Sequence, residues 1–99
     1  MLPFFAYLLR CSDASYYAGH TDNFDLRVAQ HASGACGGYT ATRLPVTLMW
    51  SQEFATREEA LAAERQIKGW SRAKKEALIA GDFDRLSALA KKDFGKVRE

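Results

Sequence analysis

The sequence predicts a small α/β (α+β) sandwich in which a three-stranded sheet faces one layer of helices. Strand-forming residues dominate the first twenty positions and return at 46–54, whereas helix caps recur through the second half of the chain. The length of 99 residues accommodates one hydrophobic core. We therefore expect one domain over residues 1–92, followed by a polar C-terminal tail at 93–99.

The first half of the chain predicts a hairpin, a helix and a third strand. Strand formers at 4–11 and 16–20 flank a short run of turn residues, so the two strands form the hairpin. Asp22 is the predicted N-cap of a helix over 23–32, which a glycine-rich loop ends. The third predicted strand covers 46–54.

Three helices are predicted in the second half, each from its cap. Thr56 and Glu59 form a capping box, in which each residue satisfies a backbone N–H of the other. Ser71 and Asp82 are predicted N-caps of the two helices that follow. The predicted helices are 57–68, 72–80 and 83–91, and the element order is β-β-α-β-α-α-α.

Composition and charge exclude several classes of protein. The hydrophobic fraction of 47% and the charged fraction of 26% are typical of globular chains and exclude disorder throughout. No apolar run reaches the roughly 18 residues of a membrane span. Cys11 and Cys36 predict two reduced thiols in a cytoplasmic protein rather than a disulfide. The net charge of +2 excludes a histone-like protein, but five basic residues and no acidic one within 65–75 permit an anionic partner.

Polar side chains lie on the apolar faces of two predicted helices. Arg27 and His31 share a face with Phe24, and Glu64 lies in the apolar stripe of its helix. An inward charge is costly unless it is paired. These residues therefore form either structural ion pairs or a functional site, and Glu64 requires a cation, either Arg27 or a metal ion.

The hairpin adds two tyrosines, and here the sequence resembles the GIY-YIG nuclease family. The segment Phe5–Tyr7 keeps the last residue of the first motif, and Tyr17–Gly19 keeps the Tyr and Gly of the second. Gly19 indicates that another group approaches the backbone closely. The resemblance covers about Phe4 to Ile79, and residues 63–72 are similar to the small stand-alone bacterial branch, which itself resembles the N-terminal nuclease domain of a DNA-repair excinuclease.

The resemblance implies hydrolysis of phosphodiester bonds in DNA with one Mg²⁺ or Mn²⁺ ion, which Glu64 would bind as the sole protein ligand. Arg27 would stabilise the transition state, and Tyr17 would activate or position the attacking water. Tyr7 would orient the nucleophile or the phosphate. His31 would hold Tyr17 or the phosphate, or act as a base itself.

Nucleic-acid binding is expected to rest on basic and aromatic residues near this site. His20 occupies the position where relatives can carry a lysine, and it is either a phosphate contact or structural. The full predicted set is His20, Tyr39, Arg43, Arg65, Lys68, Arg72, Lys74 and Lys75. The alternatives are a nucleic-acid-binding module of the same fold that does not cut, and a protein-interaction adaptor. We expect either weak action that is structure-directed or non-specific, or a separate protein partner that supplies targeting.

Overall fold

The computed structural model of this chain describes residues 3–89. Its sheet has three antiparallel strands, β1 (Phe4–Arg10), β2 (Tyr16–Thr21) and β3 (Thr47–Phe54), in the order β2-β1-β3. The central strand β1 carries the core, because Ala6, Leu8 and Leu9 are fully buried. The predicted hairpin and the predicted three-stranded sheet are thus confirmed.

The helices divide between two compact units, Met1–Lys68 and Gly69–Glu99. The first unit contains α1 (Phe24–Ser33), α2 (Gly38–Ala41) and α3 (Arg57–Lys68). The second contains α4 (Arg72–Ala80) and α5, which covers the described residues 83–89. The predicted α/β class is confirmed, with α2 as an unpredicted addition. The prediction of a single layer of helices is wrong, because α1 packs on the sheet face of Phe5 and Tyr7 and α3 on the face of Phe4 and His20. The predicted domain end at 92 and the tail at 93–99 lie outside the described residues.

Side-chain caps begin three helices where the sequence predicts them. The Glu59 N–H donates to Thr56 Oγ1 over 3.2 Å, and the Thr56 N–H donates to Glu59 Oε1 over 3.3 Å, which completes the capping box. Ser71 Oγ accepts from the N–H three residues on over 3.3 Å, and Asp82 Oδ1 does the same over 3.1 Å. These groups satisfy N–H donors that have no partner within their own helix.

The predicted cap of α1 is wrong by one residue. Asn23, not Asp22, is the N-cap, and its side chain accepts from the Leu26 N–H over 3.4 Å. Thr21 Oγ1 accepts from the Asn23 N–H over 3.0 Å, which fixes Asn23 at the start of the helix. Asp22 is exposed and faces Arg57 at 3.5 Å. Asp22 and Asn23 are equally good cap residues, and the hydrogen bond from Asn23 to Thr21 at the end of β2 decides which of them caps the helix.

Asn23→Ala is expected to destabilise the chain by about 1 kcal/mol, because it removes this cap. Asp22→Ala, which removes only an exposed ion pair, is expected to cost less than about 0.5 kcal/mol. Thermal unfolding followed by circular dichroism separates the two, since 1 kcal/mol shifts the Tm of a chain this small by about 4–8 °C. Equal shifts in the two variants would contradict the assignment of Asn23 as the cap.

Two further properties of the described residues bear on the class of protein. No helix within 3–89 is long and apolar enough to cross a membrane. Both cysteines are free thiols, Cys11 buried and Cys36 half-buried.

Candidate active site

Tyr7 lies on the central strand with its ring directly over a glycine. The register pairs Tyr7 with Gly19 of β2. A Cβ atom on Gly19 would lie 2.5 Å from both Cζ and Oη of Tyr7, a distance that real side chains do not reach. Phe24 of α1 packs against the same ring edge-on, with ring centroids 6.2 Å apart. The predicted close approach at Gly19 is thus confirmed, and the approaching group is the tyrosine ring.

His31 links this tyrosine to helix α2, which follows the glycine-rich loop. It is 3% exposed, with Nε2 lying 2.9 Å from Tyr7 Oη and Nδ1 lying 2.8 Å from Thr40 Oγ1. Burial, with a contribution from the charge of Arg27, lowers the pKa of His31, so the imidazole is neutral at neutral pH. Both ring nitrogens are engaged by protein hydroxyls. The tyrosine that His31 hydrogen-bonds is therefore Tyr7, whereas Tyr17 only packs against its ring.

Tyr17 belongs to a row of rings at the start of β2. Its ring lies 5.1 Å from that of His31 and stacks on that of Tyr39 at 6.1 Å, measured between centroids. Arg43 lies 3.7 Å from the centre of the Tyr39 ring, and its Nε donates to Asp13 over 3.0 Å. Arg43 also donates to the Tyr39 carbonyl over 2.9 Å. Its guanidinium is thus engaged by the protein on several sides, which limits it as a phosphate contact.

Arg27 is exposed, so the prediction that it lies inward is wrong. It lies on the edge of the apolar stripe of α1, and its long side chain extends past the core. Its Nη1 lies 3.7 Å from Cys36 Sγ, and this hydrogen bond is the main reason that the pKa of Arg27 is raised. The phenols of Tyr7 and Tyr17 raise it further, so the guanidinium lies within electrostatic range of both tyrosines.

Glu64 lies inward on α3, as predicted, with 13% of its side chain exposed. Its Oε1 lies 2.7 Å from His20 Nδ1, and its Oε2 accepts from Lys68 Nζ over 3.1 Å. Burial raises the pKa of Glu64, but the hydrogen bonds from His20 and Lys68 outweigh it and the pKa is lowered overall. The carboxylate is therefore ionised at neutral pH. Its partners within the chain are His20 and Lys68, not Arg27.

The side chains predicted as catalytic lie on two faces of the sheet. Burial raises the pKa of Tyr7 far above its usual range; the charges of Tyr17 and Glu64 add to this, and Arg27 opposes it. Tyr17 lies on the same sheet face as Tyr7, whereas His20, with Glu64, lies on the other face of edge strand β2. The structure thus groups four of the five residues predicted as catalytic, namely Tyr7, Tyr17, Arg27 and His31, on one side of the sheet, whereas Glu64 lies with His20 on the other.

The predicted nucleic-acid-binding stretch is split between the two units. Arg65 and Lys68 are exposed on α3 of the first unit. In the second unit Arg72 Nε lies 3.1 Å from Glu76 Oε2, and Lys75 is half-buried. Lys74 is only 6% exposed and lies 5.8 Å from the centre of the Trp70 ring. The burial of Lys74 leaves little of its side chain open to a phosphate.

Two residues of this site are not predicted from the sequence. Thr40, which hydrogen-bonds His31, lies on the unpredicted helix α2, and a four-residue helix has no periodicity to detect. Cys36, which contacts Arg27, lies in the glycine-rich loop, where no regular spacing places a side chain. Only the loop conformation brings the two residues to their partners.

The stability of the chain is expected to fall as the pH decreases below about 6.5, the ordinary pKa of histidine. Because the pKa of folded His31 lies below that value, the unfolded chain binds the proton first. Above pH 6.5 His31 makes its full contribution to the free energy of unfolding. Below that pH the contribution falls by at most about 1.4 kcal/mol per pH unit. NMR titration of the His31 ring checks this, and a midpoint at or above 6.5 would contradict it.

Known proteins match this chain over most of its length. The family model described as the GIY-YIG catalytic domain matches residues 3–77. A UPF0213 protein of Streptococcus pneumoniae is 43% identical over 81 residues, which is 82% of each chain. A UPF0213 protein of Halobacterium salinarum is 46% identical over 73 residues, which is 74% of this chain and 95% of that one.

Two solution NMR structures are also similar. A UPF0213 protein from Bacillus halodurans is 40% identical with a TM-score of 0.52, covering 79% of this chain and 83% of its own. A protein from E. faecalis is 34% identical with a TM-score of 0.55, covering 82% of this chain and 86% of its own. This chain therefore belongs to the GIY-YIG family, within the small stand-alone group of bacterial and archaeal proteins named UPF0213.

Proposed function

We propose that this chain is a metal-dependent endonuclease that hydrolyses phosphodiester bonds in DNA. The observation that carries the proposal is the ionised carboxylate of Glu64, which lies inward on α3 with 13% of its side chain exposed. On the other side of the sheet, the exposed guanidinium of Arg27 lies within electrostatic range of Tyr7 and Tyr17. A protein that only binds nucleic acid gains from exposed basic groups. It gains nothing from an ionised carboxylate on the helix that carries Arg65 and Lys68, because that charge repels phosphate.

Glu64 suits a single Mg²⁺ or Mn²⁺ ion. Its oxygens are hard anionic donors, and a carboxylate with one hydrogen bond at each oxygen keeps further lone pairs for a metal ion. Mg²⁺ is commonly held by one or two carboxylates, with waters and phosphate oxygens completing the shell. When bound, the ion would supply Lewis-acid neutralisation of charge on the phosphate. His20 and Lys68 would hold the carboxylate in orientation.

The other residues supply orientation and charge. Arg27 carries donors that match phosphate oxygens and would stabilise the negative charge that develops in the transition state. The Tyr17 phenol, which lies within electrostatic range of that guanidinium, would position and activate the attacking water. Tyr7, held by His31, would orient the water or the phosphate.

One observation favours the alternative of a nucleic-acid-binding module that does not cut. Both oxygens of Glu64 already have partners within the chain, which is also the arrangement of a purely structural ion pair. In that case Glu64 would stabilise the contact of α3 with β2, and binding would depend on exposed cations such as Arg65. Such binding would weaken steeply with added salt, because phosphate contacts release counterions.

The test is a cleavage assay with supercoiled plasmid and with branched, duplex and single-stranded oligonucleotides. Each substrate is incubated with the purified chain in Mg²⁺, in Mn²⁺ and in chelator. We expect cutting in either metal and none in chelator, with the activity following the 11.1 kDa chain through gel filtration. Salt-sensitive binding without cutting on any substrate would support the binding module.

A further inference from the structure

Thr40 is a buried polar residue to which neither the family resemblance nor the proposed function gives a role. It lies on α2 and is 1% exposed, and its Oγ1 lies 2.8 Å from His31 Nδ1. The chain returns to His31 through Gly37 and Gly38, whose φ angles of 67° and 64° belong to the left-handed region that glycine favours. The loop thus brings one hydroxyl to one nitrogen of a buried imidazole.

The two nitrogens of His31 have coupled roles. A neutral imidazole has one N–H donor and one acceptor, so the role of Nδ1 decides that of Nε2. Burial favours the neutral form of His31. Its hydrogen-bond partners are the Thr40 hydroxyl at Nδ1 and the Tyr7 phenol at Nε2. Each hydroxyl can donate or accept, so two arrangements satisfy both contacts. In one, Nδ1–H donates to Thr40 and Nε2 accepts from Tyr7. In the other, Nε2–H donates to Tyr7 and Nδ1 accepts from Thr40.

The stronger donor selects between these arrangements. A phenol, with an ordinary pKa of about 10, donates more strongly than an aliphatic alcohol, which is about as weak an acid as water. Tyr7 also keeps its proton, because burial raises its pKa. We propose that Thr40 is a positioning residue: it accepts from the Nδ1–H of His31 and holds the ring in the tautomer whose Nε2 accepts from Tyr7.

The tautomer determines what Tyr7 offers to the reacting groups, an inference that rests on the proposed function. When the phenol hydrogen is directed to Nε2, the lone pairs of Tyr7 Oη are free of His31 and can accept from the attacking water. In the other tautomer Nε2–H would occupy one lone pair, and the phenol hydrogen would turn elsewhere. By accepting from Nδ1–H, Thr40 therefore stabilises the tautomer in which Tyr7 acts as an acceptor toward the reacting groups.

The experiment compares wild type with Thr40→Val, which keeps the shape of the side chain, and with Thr40→Ser, which keeps the hydroxyl. Thr47→Val, an exposed position on β3, is the control. The His31 tautomer is assigned from one-, two- and three-bond ¹H–¹⁵N correlations, and kcat and KM are measured on the best substrate. We expect Nδ1–H in wild type, Thr40→Ser and Thr47→Val, and loss of this preference in Thr40→Val.

In the cleavage assay, Thr40→Val is expected to lower kcat about tenfold with KM unchanged, and Thr40→Ser to restore it to within about twofold. An Nε2-protonated ring in wild type overturns the proposal, whether or not Thr40→Val folds. An unchanged tautomer and kcat in folded Thr40→Val overturn it as well. If wild type cuts no substrate, the proposed nuclease function fails, and the tautomer still decides the role of Thr40.

Discussion

Glu64→Gln is expected to abolish metal-dependent cleavage while leaving the chain folded. The substitution keeps the size of the side chain but removes the negative charge that would hold the metal ion. Bound metal contributes several kcal/mol of transition-state stabilisation, so its loss corresponds to a fall of at least about 10³-fold in rate. The amide oxygen still accepts one hydrogen bond, so we expect a stability cost of only about 1 kcal/mol.

The matched control is Glu58→Gln, which removes the same charge from an exposed position on the same helix. We expect this variant to cut at the wild-type rate. Mn²⁺ binding, followed by electron paramagnetic resonance, should be lost in Glu64→Gln and kept in Glu58→Gln. Circular dichroism confirms that both variants fold. Cleavage by Glu64→Gln at close to the wild-type rate would show that another residue holds the metal or that a contaminant cuts.

Gly19→Ala is expected to destabilise the chain by about 2–3 kcal/mol, the upper part of the range for overpacked cores. The added Cβ would lie 2.5 Å from Cζ and Oη of Tyr7, so the ring must move. Tyr7 is 2% exposed and lies against Phe24 and His31, which leaves the ring little room to adjust. A shift of the ring would also break the hydrogen bond to His31. The expected fall in Tm is roughly 10–20 °C.

A double-mutant cycle identifies the clash as the cause. Tyr7→Leu removes Cζ and Oη, so in that background Gly19→Ala is expected to cost less than about 1 kcal/mol. Tyr7→Phe keeps Cζ and should give little relief. Denaturant unfolding of the single and double variants measures the coupling. If Gly19→Ala costs the same in all three backgrounds, the destabilisation arises from the β2 backbone and not from contact with the tyrosine.

The elements of the fold that can be predicted from the sequence are those that depend on residues close together in the chain. The capping box at Thr56 and the caps at Ser71 and Asp82 involve residues three apart, so they can be recognised without tertiary information. The cap of α1 is different. Asp22 and Asn23 are both good caps, and a hydrogen bond to Thr21 at the end of β2 decides between them.

The residues of the candidate site also differ in how well the sequence predicts their positions and partners. Helical periodicity places Glu64 inward correctly, because the apolar residues around it on α3 are buried. Periodicity fails for Arg27, since a long side chain at the edge of a stripe can extend into solvent. The partner of Glu64 is His20, and the two are 44 residues apart. Contacts across such distances depend on strand register and helix packing, which a single sequence does not display.

The strand order has a consequence for how the molecule folds. β1 pairs on one side with β2, its neighbour in sequence, through a turn that the Cys11 N–H closes on the Ser15 carbonyl over 2.8 Å. On the other side it pairs with β3, where Phe4 meets Phe54 across half of the chain. Closing a short loop costs less entropy and happens sooner than closing a long one. We therefore expect the hairpin that carries Tyr7 and Tyr17 to form before β3 pairs with β1.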